Sequence, residues 1–209
     1  MRSWILLCCC FVALSASAQT GFKPVANLEL FKQQFMKTAQ STNTIKSDFV
    51  QEKNLSMLSE KIVSKGKFWF KKENKVRMEY SAPSYYLMVI NGKSFRIKDA
   101  KSDRNISTSG SKLFEQISKV TADCVQGNVL NNKDFSTKVL ENAQYYQVQM
   151  TPVAKGLKDF FNSIDLLVEK KDLAVVKITM HERSGDDTNI SFTQRELNVP
   201  ISDEIFALK

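Results

Sequence analysis

KGKFWFKKENKVRMEY, from Lys65 to Tyr80, reads as a β-hairpin. Its first arm puts Gly66, Phe68 and Phe70 on one face, with Lys65, Lys67, Trp69 and Lys71 on the other. The second arm alternates Val76, Met78 and Tyr80 against Lys75, Arg77 and Glu79. Side chains along a strand point to opposite faces in turn, so each arm has one apolar side. A two-residue loop at Glu73-Asn74 would set Phe70 opposite Arg77. A three-residue loop, Glu73 to Lys75, sets Phe70 opposite Met78 and Phe68 opposite Tyr80. Hydrophobic pairing selects the second register. Lys72 then lies on the apolar face, opposite Val76. A lone cation at the rim of an apolar surface either snorkels to water or finds a partner.

Downstream, Ala82-Pro83-Ser84 breaks the pattern. Tyr85 to Ile90 and Lys93 to Asp99 then flank Asn91-Gly92, a strong hairpin signal. A two-residue turn there pairs Met88 with Phe95 and Tyr86 with Ile97. One face becomes Tyr86, Met88, Ile90, Phe95 and Ile97. Asp99 to Ser111 reads as a polar loop with one short strand. Lys112 to Val125 carries Leu113, Ile117, Val120 and Cys124 on one helical stripe, with Phe114 beside it.

Upstream, Ala26 to Thr44 spaces Leu28, Phe31, Phe35 and Ala39 as the apolar face of a helix. Ile45 to Lys53 is strand-like, with Ile45, Phe49 and Gln51 on one side, and Asn54 to Glu60 is a polar connection. The second half is strand throughout. Phe135–Leu140 pairs with Tyr145–Pro152, and Phe160–Glu169 with Leu173–Arg183. A last strand carries Ile190 and Phe192, and Ser202 to Phe206 forms a capped turn. A loop of Lys170 to Asp172 aligns Ile164, Leu166 and Val168 with Ala174, Val176, Ile178 and Met180.

Roughly nine or ten antiparallel strands, each with one apolar side, make a sheet that must curl. Its concave face is rich in Phe, Met, Tyr and Ile, and two sizeable helices are available to cover it. That face is either a closed core or a cavity for an apolar guest.

Residues 1–18 have the pattern of an export leader: Arg2, the apolar run Trp4 to Leu14, and the cleavage pattern Ala16-Ser17-Ala18. Cys8, Cys9 and Cys10 sit inside the apolar run, where a lipoprotein signal would not place them. Residues 19–209 then form one domain, with Cys124 its lone cysteine and no internal disulfide. The formal net charge of +8 comes from lysines spread along the chain, the pattern of solvated outer strand faces. Nucleic acid is not a partner that this pattern in an exported chain suggests.

Catalysis finds little support. The chain has one histidine, His181, on the polar face of its strand, and Cys124 lies on an apolar helical stripe. No His, Cys or carboxylate cluster has metal-ligand spacing. Neither a cofactor nor a metal is expected.

The order of elements resembles the periplasmic outer-membrane lipoprotein carrier (LolA) family. The matching residues are Phe49-Val50-Gln51, Gly66 to Lys72, Tyr80 with Pro83, and Asn91-Gly92-Lys93, within a pattern running from about Leu28 to Phe206. The resemblance implies an unclosed antiparallel β-barrel, a half-barrel, with α-helices as its lid. It implies a cavity for the acyl chains of lipoproteins, taken from an inner-membrane ABC-type release complex and delivered to an outer-membrane receptor or the outer membrane itself. The carrier would act as a monomer in the periplasm. Phe49, Phe68, Phe70, Val76, Met78, Tyr80, Tyr86, Met88, Ile90, Phe95 and Ile97 would line the cavity, with Leu113, Phe114 and Ile117 above it. Lys72 stands where the family has Arg followed by Pro, and its ammonium would reach carbonyls at a lid-helix C-terminus or in the next loop. With Lys209 soon after Phe206, the C-terminal extension of some members is not expected here. Two other readings stay open: a lipid-binding or lipid-sensing module of the same shape for another amphiphile, and a structural domain whose concave face is its core.

Overall fold

The computed structural model describes residues 21–57, 60–107 and 128–209. The leader at 1–18 and the helix expected at Lys112–Val125, with Leu113, Phe114, Ile117 and Cys124, lie outside the described residues.

Strands β1 (Lys23–Pro24), β2 (Thr44–Leu55), β3 (Glu60–Lys71), β4 (Lys75–Ala82), β5 (Tyr86–Asn91), β6 (Ser94–Asp99) and β7 (Asp103–Ser107) come from the first half of the chain. The second half supplies β8 (Phe135–Glu141), β9 (Tyr145–Pro152), β10 (Phe161–Glu169), β11 (Val175–Glu182) and β12 (Asp187–Leu197). They form one 12-stranded sheet in the order β1-β8-β9-β10-β11-β12-β2-β3-β4-β5-β6-β7, with every pair antiparallel. β1 and β7 are its free edges, so the sheet is open rather than a closed barrel. The expectation of nine or ten strands falls short: Lys23–Pro24 adds a short edge strand, and β3 begins at Glu60, inside the stretch read as a connection, and so is longer than expected. Among the described residues the helices are α1 (Leu28–Ser41) and the short α2 (Lys155–Lys158), with 3-10 turns at Asn128–Asn131 and Asp203–Phe206.

Both hairpin registers differ from the expected ones by two residues, which leaves the apolar faces unchanged. In the first, Phe70 lies opposite Val76, Phe68 opposite Met78 and Gly66 opposite Tyr80. The loop is Lys72-Glu73-Asn74, because Glu73 and Asn74 take φ of 71° and 61° and leave the strand. Lys72 is therefore a loop residue rather than the partner of Val76. Lys71 and Lys75 face each other, and Asp203 offsets that repulsion by approaching them at 2.8 and 3.1 Å. In the second hairpin the loop is Gly92-Lys93: Gly92 takes φ +61°, and Asn91 stays in the strand opposite Ser94. Ile90 then faces Phe95, and Met88 faces Ile97. A bulge in the β10–β11 pair likewise sets Val175, not Ala174, opposite Val168.

Cross-strand partners place Phe49, Phe68, Phe70, Val76, Met78, Ile90 and Phe95 on one inner face. α1 begins at the cap Asn27, whose side chain accepts from the Leu30 N–H, and presents Phe31, Phe35 and Ala39 to that face. Phe31 and Phe35 pack with Val139, Val148, Met150, Ile164, Leu166 and Val168. Full burial of a large apolar side chain is worth about 1.5–3 kcal/mol, so these two phenylalanines anchor the helix. A second cluster lies farther along the same face: Phe49, Phe70, Val76, Met78, Ile90, Phe95 and Ile190.

The outer face is not solvated throughout, contrary to the sequence reading. Phe206, fully buried, packs on Leu87 and Val89, with Trp69, Ile201, Ile205 and Leu208 around it. Arg77 donates to the Ile205 carbonyl and stacks over Trp69, while Asn91 donates to the carbonyl of Phe206.

Candidate binding cavity under the first helix

A cavity of about 110 Å³, open on one side, lies between the C-terminal half of α1 and the inner face. Phe35, Thr38, Ala39 and Thr42 line it from the helix side. Ile45 and Ser47 of β2, Phe68 of β3, Leu166 of β10, Ile178 of β11 and Phe192 of β12 line it from the sheet, with Leu173, Ala174 and Val175 at the β10–β11 turn. Arg195 and Leu197 complete the wall. The lining is overwhelmingly apolar, as a site for a hydrocarbon guest requires.

Arg195 and Leu197 reach this wall because β12 changes parity. Phe192 faces Phe49 and Thr193 faces Asp48, but Glu196 faces Lys46 and Leu197 faces Ile45, so two β12 residues stand opposite Ser47 alone. The extra residue is a β-bulge with Gln194 at φ 50°. A bulge shifts the alternation by one and so re-aims the side chains beyond it. Arg195 Nη2 lies 2.7 Å from Glu169 Oε2 and 3.3 Å from Asp172 Oδ2. Lys171 and then Arg195 hold the Glu169 carboxyl below its ordinary value.

The end of α1 beside the cavity is tied down on two sides. Lys72 Nζ donates to the Gln40 carbonyl, and Asn198 Nδ2 donates to the Ser41 carbonyl at 3.2 Å. A cation there also lies at the negative end of the helix dipole. The Lys72 N–H donates to the Asn43 carbonyl just beyond the helix, at 2.9 Å. This is the type of contact expected of Lys72.

Of the residues singled out from the sequence, Phe68 lines this cavity. Phe49, Phe70, Val76, Met78, Ile90 and Phe95 are buried in the adjoining cluster, with Tyr80 and Met88 packed against it. Tyr86 lies edge-on to Tyr80 at 5.5 Å, and Ile97 pairs with Met88. The Tyr80 hydroxyl donates to Gln51 Oε1 at 2.9 Å, and burial with the neighbouring Tyr86 pushes its pKa up to about 12. Burial, then Asp99, also raises that of Tyr86. Sequence reasoning missed the contributions of β10, β11 and β12 to the cavity wall. One signal was available: Ile190 and Phe192 are even-numbered while Leu197 is odd, and that parity switch marks a bulge.

Elsewhere, His181 Nδ1 lies 2.6 Å from Asp187 Oδ1. Among the described residues, no group of three or more His, Cys, Asp or Glu side chains is placed to hold a metal ion. Nor is any helix among them long and apolar enough to cross a membrane.

A family model described as outer membrane lipoprotein carrier protein LolA matches residues 40–209. The chain belongs to the LolA family. The match spans every strand from β2 to β12, and the LolA family fold links the chain to lipid and lipoprotein binding. Proteins of the LolA family are typically periplasmic. No curated protein matches the chain. Among solved structures, an uncharacterized conserved protein from Thermus thermophilus aligns with TM-score 0.51 and 8% identity, over 85% of this chain and 91% of that one. MucB aligns with TM-score 0.50 and 13% identity, over 88% of this chain but 63% of the MucB chain. A LolA superfamily protein from Nitrosomonas europaea aligns with TM-score 0.47 and 12% identity, over 84% and 97% of the two chains. At such identities the first two likenesses show the fold alone.

Proposed function

We propose that this chain is a non-catalytic periplasmic carrier that takes up the acyl chains of lipoproteins beneath α1 and shuttles them from the inner to the outer membrane. The observation that supports the reading is the apolar cavity, roofed by a helix whose C-terminal end is held by a lysine and an asparagine. At about 110 Å³ the cavity is smaller than the roughly 150 Å³ that accommodates a benzene. Uptake of a long chain therefore lifts α1 off the sheet. Each methylene then buried is worth about 0.8 kcal/mol, so a chain binds firmly without polar contacts. Lifting α1 breaks the Lys72–Gln40 contact. That loss is set against cargo binding and lowers net affinity, as a carrier that must release its load requires.

In this account residues 1–18 direct export and are removed before Gln19. Cargo comes from an inner-membrane ABC-type release complex and goes to the outer membrane or a receptor there. Phe49, Phe70, Val76, Met78 and Phe95 form the part of the inner face that a longer chain reaches once α1 has moved.

The test is mass spectrometry of lipids and peptides extracted from the protein purified from its native periplasm. Recovery of acylated lipoproteins is the expected result. Recovery of one other amphiphile would point instead to a lipid-binding or sensing module. An extract without acyl compounds, from a protein that also takes up no acyl probe, would leave the inner face as a closed core.

A further inference from the structure

Two residues of the cavity lining each carry a buried polar atom with no hydrogen-bond partner among the described residues: Ser47 Oγ and Arg195 Nη1. Both atoms are buried, and Ser47 as a whole is 3% exposed. The bulge in β12 sets Arg195 opposite Ser47 in register, so the two residues are neighbours on the wall. Buried donors left unpaired are costly and call for an explanation. A serine and an arginine in a mostly apolar lining are also hard to explain as packing.

Resting on the acyl-binding reading above, we propose that this spot is a polar anchor for the ester carbonyl of an acyl chain. The carbonyl oxygen accepts from Arg195 Nη1 and Ser47 Oγ, and the chain runs along Phe68, Ile178 and Phe192. The charge balance favours a neutral acceptor. Glu169 and Asp172 already answer the guanidinium charge through Nη2, at 2.7 and 3.3 Å. A free carboxylate would enter beside two anions, whereas an ester carbonyl brings lone pairs without a net charge. The anchor gives the cavity a direction: ester end under the C-terminal half of α1, methyl end away from it.

The experiment measures displacement of a fluorescent acyl probe from the lipid-stripped protein by dodecane, methyl dodecanoate and dodecanoate. Wild type, Ser47→Ala and Arg195→Met are compared. In the wild type, methyl dodecanoate should bind about tenfold more tightly than dodecane, the effect of one or two good hydrogen bonds. Ser47→Ala should lose several-fold of that preference, read as the ratio of ester to dodecane affinity, while its unfolding midpoint holds, because the hydroxyl has no partner among the described residues. Arg195→Met should act likewise. If breaking its ion pairs prevents folding, Ser47→Ala decides the matter. Equal binding of ester and alkane by the wild type would overturn the anchor and leave the acyl-binding cavity standing. Tighter binding of dodecanoate than of its ester would overturn the neutral-acceptor assignment. Failure of all three compounds to bind would overturn the cavity reading, and the anchor with it.

Discussion

The ring of Phe49 lies over Gly66, its direct partner across β2 and β3. A Cβ on Gly66 would stand 2.8 Å from Phe49 Cε1 and Cζ and 2.2 Å from the Glu79 carbonyl oxygen. Absence of a side chain there lets Phe49 cross the strand and meet Tyr80 edge-on, with centroids 4.8 Å apart. Gly66→Ala should therefore destabilise the protein by about 3 kcal/mol, at the upper end of overpacking, since a backbone carbonyl cannot turn aside. Urea unfolding of the variant and wild type measures this.

Lys72 ties the end of the third strand to the end of α1 through the Gln40 carbonyl. Lys72→Leu removes that tie and adds apolar surface. It should hold an acylated lipoprotein about three- to tenfold more tightly, the range of a charge-assisted hydrogen bond at a partly exposed site, and transfer it correspondingly more slowly to acceptor vesicles. Lys72→Arg should transfer at the wild-type rate or more readily. Equal rates for wild type and Lys72→Leu would make Lys72 an ordinary rim residue.

Tyr80 gives the fold an alkaline limit. Its pKa is raised from 10.0 to about 12, by burial first and Tyr86 second. The folded state thus holds the phenol proton more tightly than the unfolded chain does. The associated stability is fully present below pH 10 and is lost as pH rises toward 12. At pH 9 wild type should exceed Tyr80→Phe by about 1 kcal/mol, the value of the bond to Gln51. That margin should shrink or reverse by about pH 11.5, as read from urea unfolding at the two pH values.

Phe206 is fully buried against Leu87 and Val89 on the outer face. Phe206→Ala should cost about 3–5 kcal/mol, as truncation of a buried aromatic does. A thermal scan should show a lowered Tm while acyl-probe affinity at low temperature stays within about twofold of wild type. The segment covers the face opposite the cavity.

Legibility followed the alternation of side chains. The apolar faces of both hairpins, the stripe Phe31-Phe35-Ala39 and the pairing of the second-half strands were all readable, because periods of two and 3.6 survive a register error of two. The loops were not: whether Lys72 or Glu73 opens the turn depends on φ at Glu73 and Asn74, which hydrophobic pairing does not determine. The cavity wall was read only in part for a related reason. Strict alternation from Phe192 sends Arg195 outward, and only the extra residue in β12 turns it in. The buried outer face had left a trace in Tyr86 to Ile90, where Leu87 and Val89 alternate with Tyr86, Met88 and Ile90. A strand apolar on both sides is covered on both sides.

The central claim is that acyl chains lie under α1, against β2, β3 and β10–β12. Photo-crosslinking with a diazirine-bearing acyl probe, followed by peptide mapping, tests it most directly. The account predicts labels concentrated on the segments carrying Phe35 and Ala39, Phe68, Ile178 and Phe192, and competed away by unlabelled lipoprotein. Labelling concentrated on the outer face around Trp69 and Phe206, or left unchanged by the competitor, would contradict it.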